Sequence, residues 1–323
     1  MQKRGQGVEY NWIFVLVAGV FILAFFIMFV FKYVELQEKK LSAQAGRAFD
    51  QALSTLEAGE LYLDDDMFDL GLIVKIDMRC DEEEAYYLVN DYYDHKFGDI
   101  ILFSDRNYQT RSFDAWINEW NEGFFITNFV YLADPNKVFY IVYDSSTAAD
   151  VLENIDLPDV FNVKYVDYSR INMELDIENK KNPKIIFITQ AAPSLNLDAQ
   201  VMYIDRDNQR LVFIEDGNQY KDNYFSEALM FGAIYSGDYS SYSCMKNRAF
   251  NRLSKVVSLY ALKASILNRL IIDSKCDYSQ IQLSLEKLSQ FAEEKDEDMV
   301  KQLNDFVVVQ NKELGGRGCA VVF

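Results

Sequence analysis

Trp12 to Phe31 reads WIFVLVAGVFILAFFIMFVF, twenty consecutive residues with no charge and no polar side chain. A helix of that length spans roughly 30 Å, which matches the hydrocarbon core of a bilayer. A soluble helix needs a polar face to show to water, and this one has none. A cleaved secretory signal has an apolar stretch of roughly 7 to 15 residues followed by small residues at a cleavage site, and neither fits. Tyr10 and Trp12 at one end and Tyr33 at the other suit the membrane interface, where Lys32 can snorkel. Trp12 to Phe31 is therefore expected to anchor the chain in lipid.

The side on which the rest of the chain lies is read from two opposing signals. Lys3 and Arg4 precede the anchor, and Lys32, Lys39, Lys40 and Arg47 follow it, so a count of positive charges favours a cytoplasmic domain. Against this, Lys3-Arg4-Gly5-Gln6-Gly7-Val8-Glu9 resembles the archaeal class III signal peptide, the leader of type IV pilin-like proteins. That resemblance implies cleavage between Gly5 and Gln6, loss of two positive charges and a domain outside the cytoplasm. Glu9 departs from the pattern, standing fourth rather than fifth after the cut. An uncleaved anchor with a short cytoplasmic tail is the other reading, and it too allows an outward-facing domain.

Beyond the anchor the composition is that of a packed globule. Half of the 323 residues are apolar, with 24 Phe and 21 Tyr and only four Pro. Taking Lys3, Arg4, Lys32 and Glu9 from the 32 basic and 50 acidic residues leaves 29 against 49, a net charge of −20 on the soluble part. Such a surface repels polyanions, so no nucleic-acid partner is expected. A single histidine, His95, and four scattered cysteines leave no metal-ligand spacing, and no metal or cofactor is expected. The acidic stretches Asp64 to Asp66 with Asp69, and Asp81 to Glu84, lack the alternation and glycine of a calcium loop and read as solvated turns.

The periodicity predicts an α+β to α/β chain in five stretches: a tail or leader over 1–11, the membrane helix over 12–31, a helical stalk over 32–58, a mixed α/β domain with a partly parallel sheet over 59–240, and an antiparallel helical hairpin over 241–323. Leu36, Ala43, Phe49, Ala52, Leu53 and Leu56 carry the helical pattern on from the anchor, so anchor and stalk form one rod of about 48 residues and about 70 Å. Such a stripe serves equally for a stalk that projects and for one packed down on its own head. Leu72 to Met78, Asp99 to Phe103 and Phe124 to Leu132 read as strands, and Phe113 to Asn121, with Trp116 and Trp120 four residues apart, as a helix.

Val138 to Tyr143, followed by Asp144-Ser145-Ser146-Thr147 and a helical stretch to Ile155, reads as strand, cap and helix. Val163 to Tyr168 and Ile185 to Thr189 are further unbroken apolar strands, which implies burial on both sheet faces and a three-layer core. Val201 to Asp205 and Leu211 to Ile214 form an antiparallel hairpin at its edge. Ligands of such sheets sit beyond the carboxyl ends of the strands, which nominates Asp144, Ser145, Ser146, Thr189 and Gln190 as a ligand site. Neither a phosphate-loop motif nor a GxSxG motif accompanies them, so Ser145 or Ser146 also reads as a helix cap, and no catalytic residue is assigned.

Cys244 to Ile272 is a long helix with six basic residues and no acidic one, and Ser279 to about Lys312 is a second helix carrying Glu286, Glu293, Glu294, Asp296, Glu297 and Asp298. Internal charge matching between the two is expected. A helix of roughly 40 Å keeps Cys244 from Cys276, which leaves Cys244 with Cys319 better placed and Cys80 with Cys276 by elimination, provided the cysteines are oxidised. Cys319 to Phe323 reads as a short edge strand.

Asn11 to Gly19 (NWIFVLVAG), Thr127 to Pro135 (TNFVYLADP) and the spacing of Cys244, Cys276 and Cys319 resemble a group of uncharacterised single-pass archaeal membrane proteins. The resemblance implies an architecture and no catalytic residue. The expectation is a membrane-anchored, extracytoplasmic surface or assembly protein that is not an enzyme, with lipid and a protein partner or its own copies as contacts. The alternative is a tethered enzyme or small-ligand receptor using the strand ends near Asp144 and Thr189.

Overall fold

The computed structural model describes residues 6–57, 67–80, 84–148, 151, 155, 157–171, 183–188, 199–270 and 275–323. It begins with one helix, α1 (Gln6–Glu57), which runs unbroken through the apolar segment and beyond it. From Trp12 to Leu41 almost every side chain is exposed, and from Ser42 onward the inward face is buried, with Ala45, Phe49, Leu53 and Leu56 in the main core. Anchor and stalk are thus one rod as expected, but the last turns of the rod lie against the head. The expected cleavage residue Gly5 lies outside the described residues, and Gln6 is the first residue of α1.

Two six-stranded sheets follow. The first contains β1 (Met67–Cys80), β2 (Ala85–Val89), β3 (Tyr93–Lys96), β4 (Ile101–Phe103), β5 (Asn107–Asn121) and β6 (Phe125–Ala133), in the order β3-β2-β1-β5-β6-β4. All its pairings are antiparallel except β4 with β6. The segment 113–121, expected as a helix, is instead the second half of β5. Residues four apart share a face in a strand as well as in a helix, so the spacing of Trp116 and Trp120 is compatible with both periods. The aromatic and β-branched content of the segment suits the strand.

The second sheet contains β7 (Val138–Tyr143), β8 (Asn162–Asp167), β9 (Lys184–Ile188), β10 (Gln200–Asp205), β11 (Arg210–Glu215) and β12 (Asn218–Asn223), in the order β12-β11-β10-β9-β7-β8. Strands β8, β7, β9 and β10 are parallel, and β10, β11 and β12 are antiparallel. The expected hairpin gains a third strand. Glu215 pairs with Asn218 across Asp216 and Gly217, both with positive φ, and Asp-Gly is a strong two-residue hairpin signal. Both faces are buried at β7 and β9, as expected, whereas β8, also expected to be buried on both faces, is a largely exposed edge strand with only Val166 buried. Phe139, Ile141, Ile186 and Met202 join the main core, and Val138, Tyr140, Ile185 and Phe187 form a second cluster.

A short helix, α2 (Glu227–Tyr235), capped by Ser226, lies between the sheets and is buried from Ala228 to Tyr235. Phe231 packs on Trp116 of the first sheet, with ring centroids 5.5 Å apart. Tyr235 touches Tyr131 at 5.3 Å and, on the second-sheet side, Phe139 at 5.1 Å and Phe161 at 4.4 Å. A helix apolar on all sides must be wrapped in protein, and this one joins the two sheets into one core. A Cβ at Gly232 would meet the Phe103 ring at 2.7 Å, so only glycine fits at that contact.

The C-terminal helices are α3 (Tyr239–Leu270), α4 (Ser279–Glu294) and α5 (Glu297–Gly316). The second arm expected as one helix breaks at Lys295, which is left-handed with φ 59°, and Asp296 then caps α5 by accepting from the Met299 N–H at 3.1 Å. That break reverses the chain once more and brings its end back to the Cys276 end of α3. The residues after α5 do not form the expected edge strand. The Asn311 side chain holds them, accepting from the Val322 N–H at 2.6 Å and donating to the Phe323 carbonyl at 2.6 Å.

Candidate functional site

At the strand ends of the second sheet, Asp144 closes its own turn. Its Oδ1 accepts from the Ser146 N–H at 2.8 Å, the Ser146 hydroxyl at 2.5 Å and the Thr147 N–H at 3.1 Å. The Thr147 hydroxyl in turn donates to the Ile188 carbonyl at 2.7 Å, which ties the turn to β9. Burial pushes the Asp144 carboxyl up, but the hydrogen bonds from Ser146 and Thr147 outweigh it and hold the group below the usual range. The cap is therefore Asp144, not Ser145 or Ser146, and its carboxylate is already engaged. Asp167 repeats the device at the end of β8, accepting from the Ser169 N–H at 2.8 Å. Thr189 and Gln190, the other two nominated residues, lie outside the described residues.

The most concentrated buried chemistry lies where the sheets meet. Lys137, almost wholly buried, donates to Asp105 Oδ1 at 2.5 Å and to Gln200 Oε1 at 2.9 Å. The adjacent Tyr108 hydroxyl accepts from the Asp105 N–H at 2.8 Å and donates to the Leu132 carbonyl at 3.0 Å. Lys184, at the start of β9, donates to the Ala233 carbonyl at 2.8 Å and to the Ser236 carbonyl, and so caps the C-terminus of α2. Burial, with the Lys137 charge nearby, pulls the Lys184 pKa down to about 7. Strand, helix and both sheets are stitched here by groups that satisfy one another. Each lysine stands alone before an apolar run, a pattern that reads as a strand boundary, so sequence reasoning missed the cluster.

A second polar centre joins the anchor helix to the head. Asp50 on α1 accepts from the Tyr93 hydroxyl at 2.7 Å and from the Tyr87 hydroxyl, with His95 Nε2 at 3.5 Å. The Tyr87 hydroxyl is held well above its ordinary pKa by burial and then by the Asp50 carboxylate. The His95 side chain is half exposed.

All four cysteines are paired, as Cys80–Cys244 with Cα atoms 6.0 Å apart and Cys276–Cys319 with Cα atoms 5.6 Å apart. The expected pairing, Cys244 with Cys319 and Cys80 with Cys276, is overturned by the extra reversal at Lys295. The first disulfide borders a shallow cavity of about 170 Å³ lined by Arg79, Tyr86, Arg106, Ser240 and Ser241. Among the described residues, no three His, Cys, Asp or Glu side chains are grouped to hold a metal.

The expected charge matching along α3 is also corrected. Among the described residues, Lys246 alone of the basic side chains of α3 binds an acid of the following helices, Glu297, together with Asp222 at 2.6 Å. Arg252 pairs with Asp99 at 3.4 Å, and Arg248 donates to the Gly98 and Ile100 carbonyls.

No protein family, curated protein or solved structure matches the chain. Its functional reading therefore rests on its own residues.

Proposed function

We propose that the chain is a single-pass membrane protein whose head lies outside the cytoplasm and works by protein contact, as a surface or envelope-assembly subunit, rather than by catalysis. The observation that carries this reading is α1, an uninterrupted helix whose apolar segment is long enough to cross a membrane and whose other end is built into the head core. A head attached by a rigid helix rather than a linker is held at a set distance and orientation from the bilayer. Two disulfides support the outward side, because such bonds persist in oxidising compartments. The non-catalytic part is supported by the nominated strand end, where Asp144 is committed to its own turn.

Protease treatment of intact cells, with mass mapping of the N-terminus and of the cysteines, tests the reading. The expected result is loss of the head from intact cells and recovery of Cys80 linked to Cys244 and Cys276 to Cys319. A protected head with four alkylatable thiols would place it in the cytoplasm, and release of the intact chain by alkaline carbonate would remove the anchor.

A further inference from the structure

We propose that the turn between β2 and β3 is a second point of contact with the bilayer, with the Tyr92 ring at its tip lying among the lipid headgroups beside α1. The inference deepens the anchored reading above and rests on it, because the turn has this partner only if a membrane surrounds Trp12 to Phe31.

The turn is built to a fixed shape. Asn90 and Asp91 have φ of 50° and 61°, and the Tyr92 N–H donates to the Val89 carbonyl at 3.0 Å, which is the hairpin turn that requires two successive left-handed residues. The Asn90 side chain then ties it down in two directions. Its Oδ1 accepts from the Lys75 N–H of β1 at 2.8 Å, and its Nδ2 donates to the Ser42 hydroxyl of α1 at 3.1 Å. Ser42 stands where α1 enters the head, and its hydroxyl donates to the Glu38 carbonyl, one helical turn nearer the anchor, at 2.7 Å. The turn therefore keeps a set position along α1.

That position places Tyr92 on the membrane side. Its ring is 46% exposed, and Lys39 Nζ lies 5.6 Å from the ring centre. The same Nζ is 2.7 Å from Glu35 Oε1, so the ring stands level with the helix between Glu35 and Lys39. At 1.5 Å per residue those two positions are about 6 and 12 Å beyond Phe31. A bilayer about 40–45 Å thick with about 30 Å of hydrocarbon has an interfacial layer about 5–8 Å deep on each side. The ring thus meets the outer margin of that layer. A helix tilt of about 20° toward the turn lowers a ring about 10 Å off the axis by roughly 3 Å more.

The contact is aromatic rather than ionic. Charges nearby are mixed and neutralise one another: Glu35 binds Lys32 and Lys39, Asp91 pairs with Lys75 at 3.2 Å, and Glu38 is offset by Lys40. A tyrosine ring, apolar in its body and polar at its tip, suits the interface without help from net charge. Leu36, 63% exposed, gives α1 an apolar side chain at the same level. A spanning helix and a resting turn together fix which face of the head looks at the lipid.

The test places nitroxide labels on the full-length chain in nanodiscs of zwitterionic lipid. Their relaxation is read with nickel chelated to lipid headgroups and with a nickel complex free in water. Phe26→Cys and Leu36→Cys calibrate depth along α1, and Asp94→Cys, two residues beyond Tyr92 and exposed, reports the turn with the ring intact. The label at 94 is expected to match the label at 36 in its response to headgroup nickel. Tyr92→Asp in that labelled chain is expected to lose the response and Tyr92→Trp to keep it, with thermal melting of both checking that the head is folded. A label at 26 that responds to water-borne nickel as a soluble label does overturns the anchor itself, and this inference with it. A label at 26 shielded by lipid, beside a label at 94 that reads as bulk water, overturns the turn contact and leaves the anchor standing. A headgroup response that survives Tyr92→Asp overturns the assignment to Tyr92.

Discussion

Residues 12–41 and 42–57 of α1 belong to one continuous helix and meet opposite surroundings. The first stretch, which includes the most apolar part of the chain, is almost wholly exposed, with Lys39 near its end lying over the Tyr92 ring at 5.6 Å, and the second, polar on one side, is buried against the first sheet. Two carboxylates, one on the exposed part of α1 and one in the head, also meet opposite surroundings. Glu35, on the exposed part, is held down to about 2 by its hydrogen bonds and charge interactions with Lys39 and Lys32. Glu122, in the hairpin after β5, is pushed up to about 7 by burial, although the Trp120 indole N–H donates to it at 2.9 Å. Hydropathy alone therefore ranks where a helix prefers to be, while complementary shape and partners determine where a protein core forms. At Gly46 this is literal, since a Cβ there would collide with the Tyr93 ring.

If that division is correct, the largest effect comes from the buried end of α1. Phe49 packs on Tyr87 and Phe113 at 4.9 and 5.4 Å, so Phe49→Ala should lower head stability by about 3–5 kcal/mol in denaturant unfolding. A loss under about 1 kcal/mol would mean that the helix end is not part of the core. Next in size, Asp50→Ala leaves the buried Tyr87 hydroxyl with only the Gly46 carbonyl at 3.2 Å, and should cost about 1–3 kcal/mol.

Glu122→Gln sharpens the contrast through pH. Its folded pKa lies above its unfolded value, so the wild type loses stability as pH rises from the ordinary glutamate range through about 7. The glutamine variant should melt like the wild type near pH 4 and be more stable by about 1–2 kcal/mol at pH 8. A constant difference across that range would show that Glu122 is not held protonated by burial. Smallest of all, Phe21→Ala should leave head stability unchanged within about 0.5 kcal/mol, and a larger shift would show that the apolar segment of α1 touches the head.

Where patterns were local, the sequence was readable. The apolar helix, the strand VFYIVY with its capped exit, the strand at Ile185 and the hairpin at Arg206 to Arg210 all follow from side-chain period and turn chemistry. The segment at Trp116 misled because a four-residue spacing satisfies both periods. Asp216-Gly217 was a usable signal that would have found β12. Lys295 offered none, since a lysine in a left-handed cap carries no mark in a run of charged residues, and missing it misplaced both disulfides. Of the nominated ligand site, Asp144 was found at the strand end, but its role there is to close a turn.

By itself the sequence determined that this chain holds a segment unsuited to water, an acidic and aromatic-rich head, and strands buried on two faces, because each depends on transfer free energies summed over neighbouring residues. Only the tertiary structure decided that the last turns of the stalk pack into the head, which cysteines join, and that Asp105, Lys137 and Lys184 meet at the seam. Those outcomes depend on how many times the chain reverses and on contacts between residues far apart along it, and no local period records either.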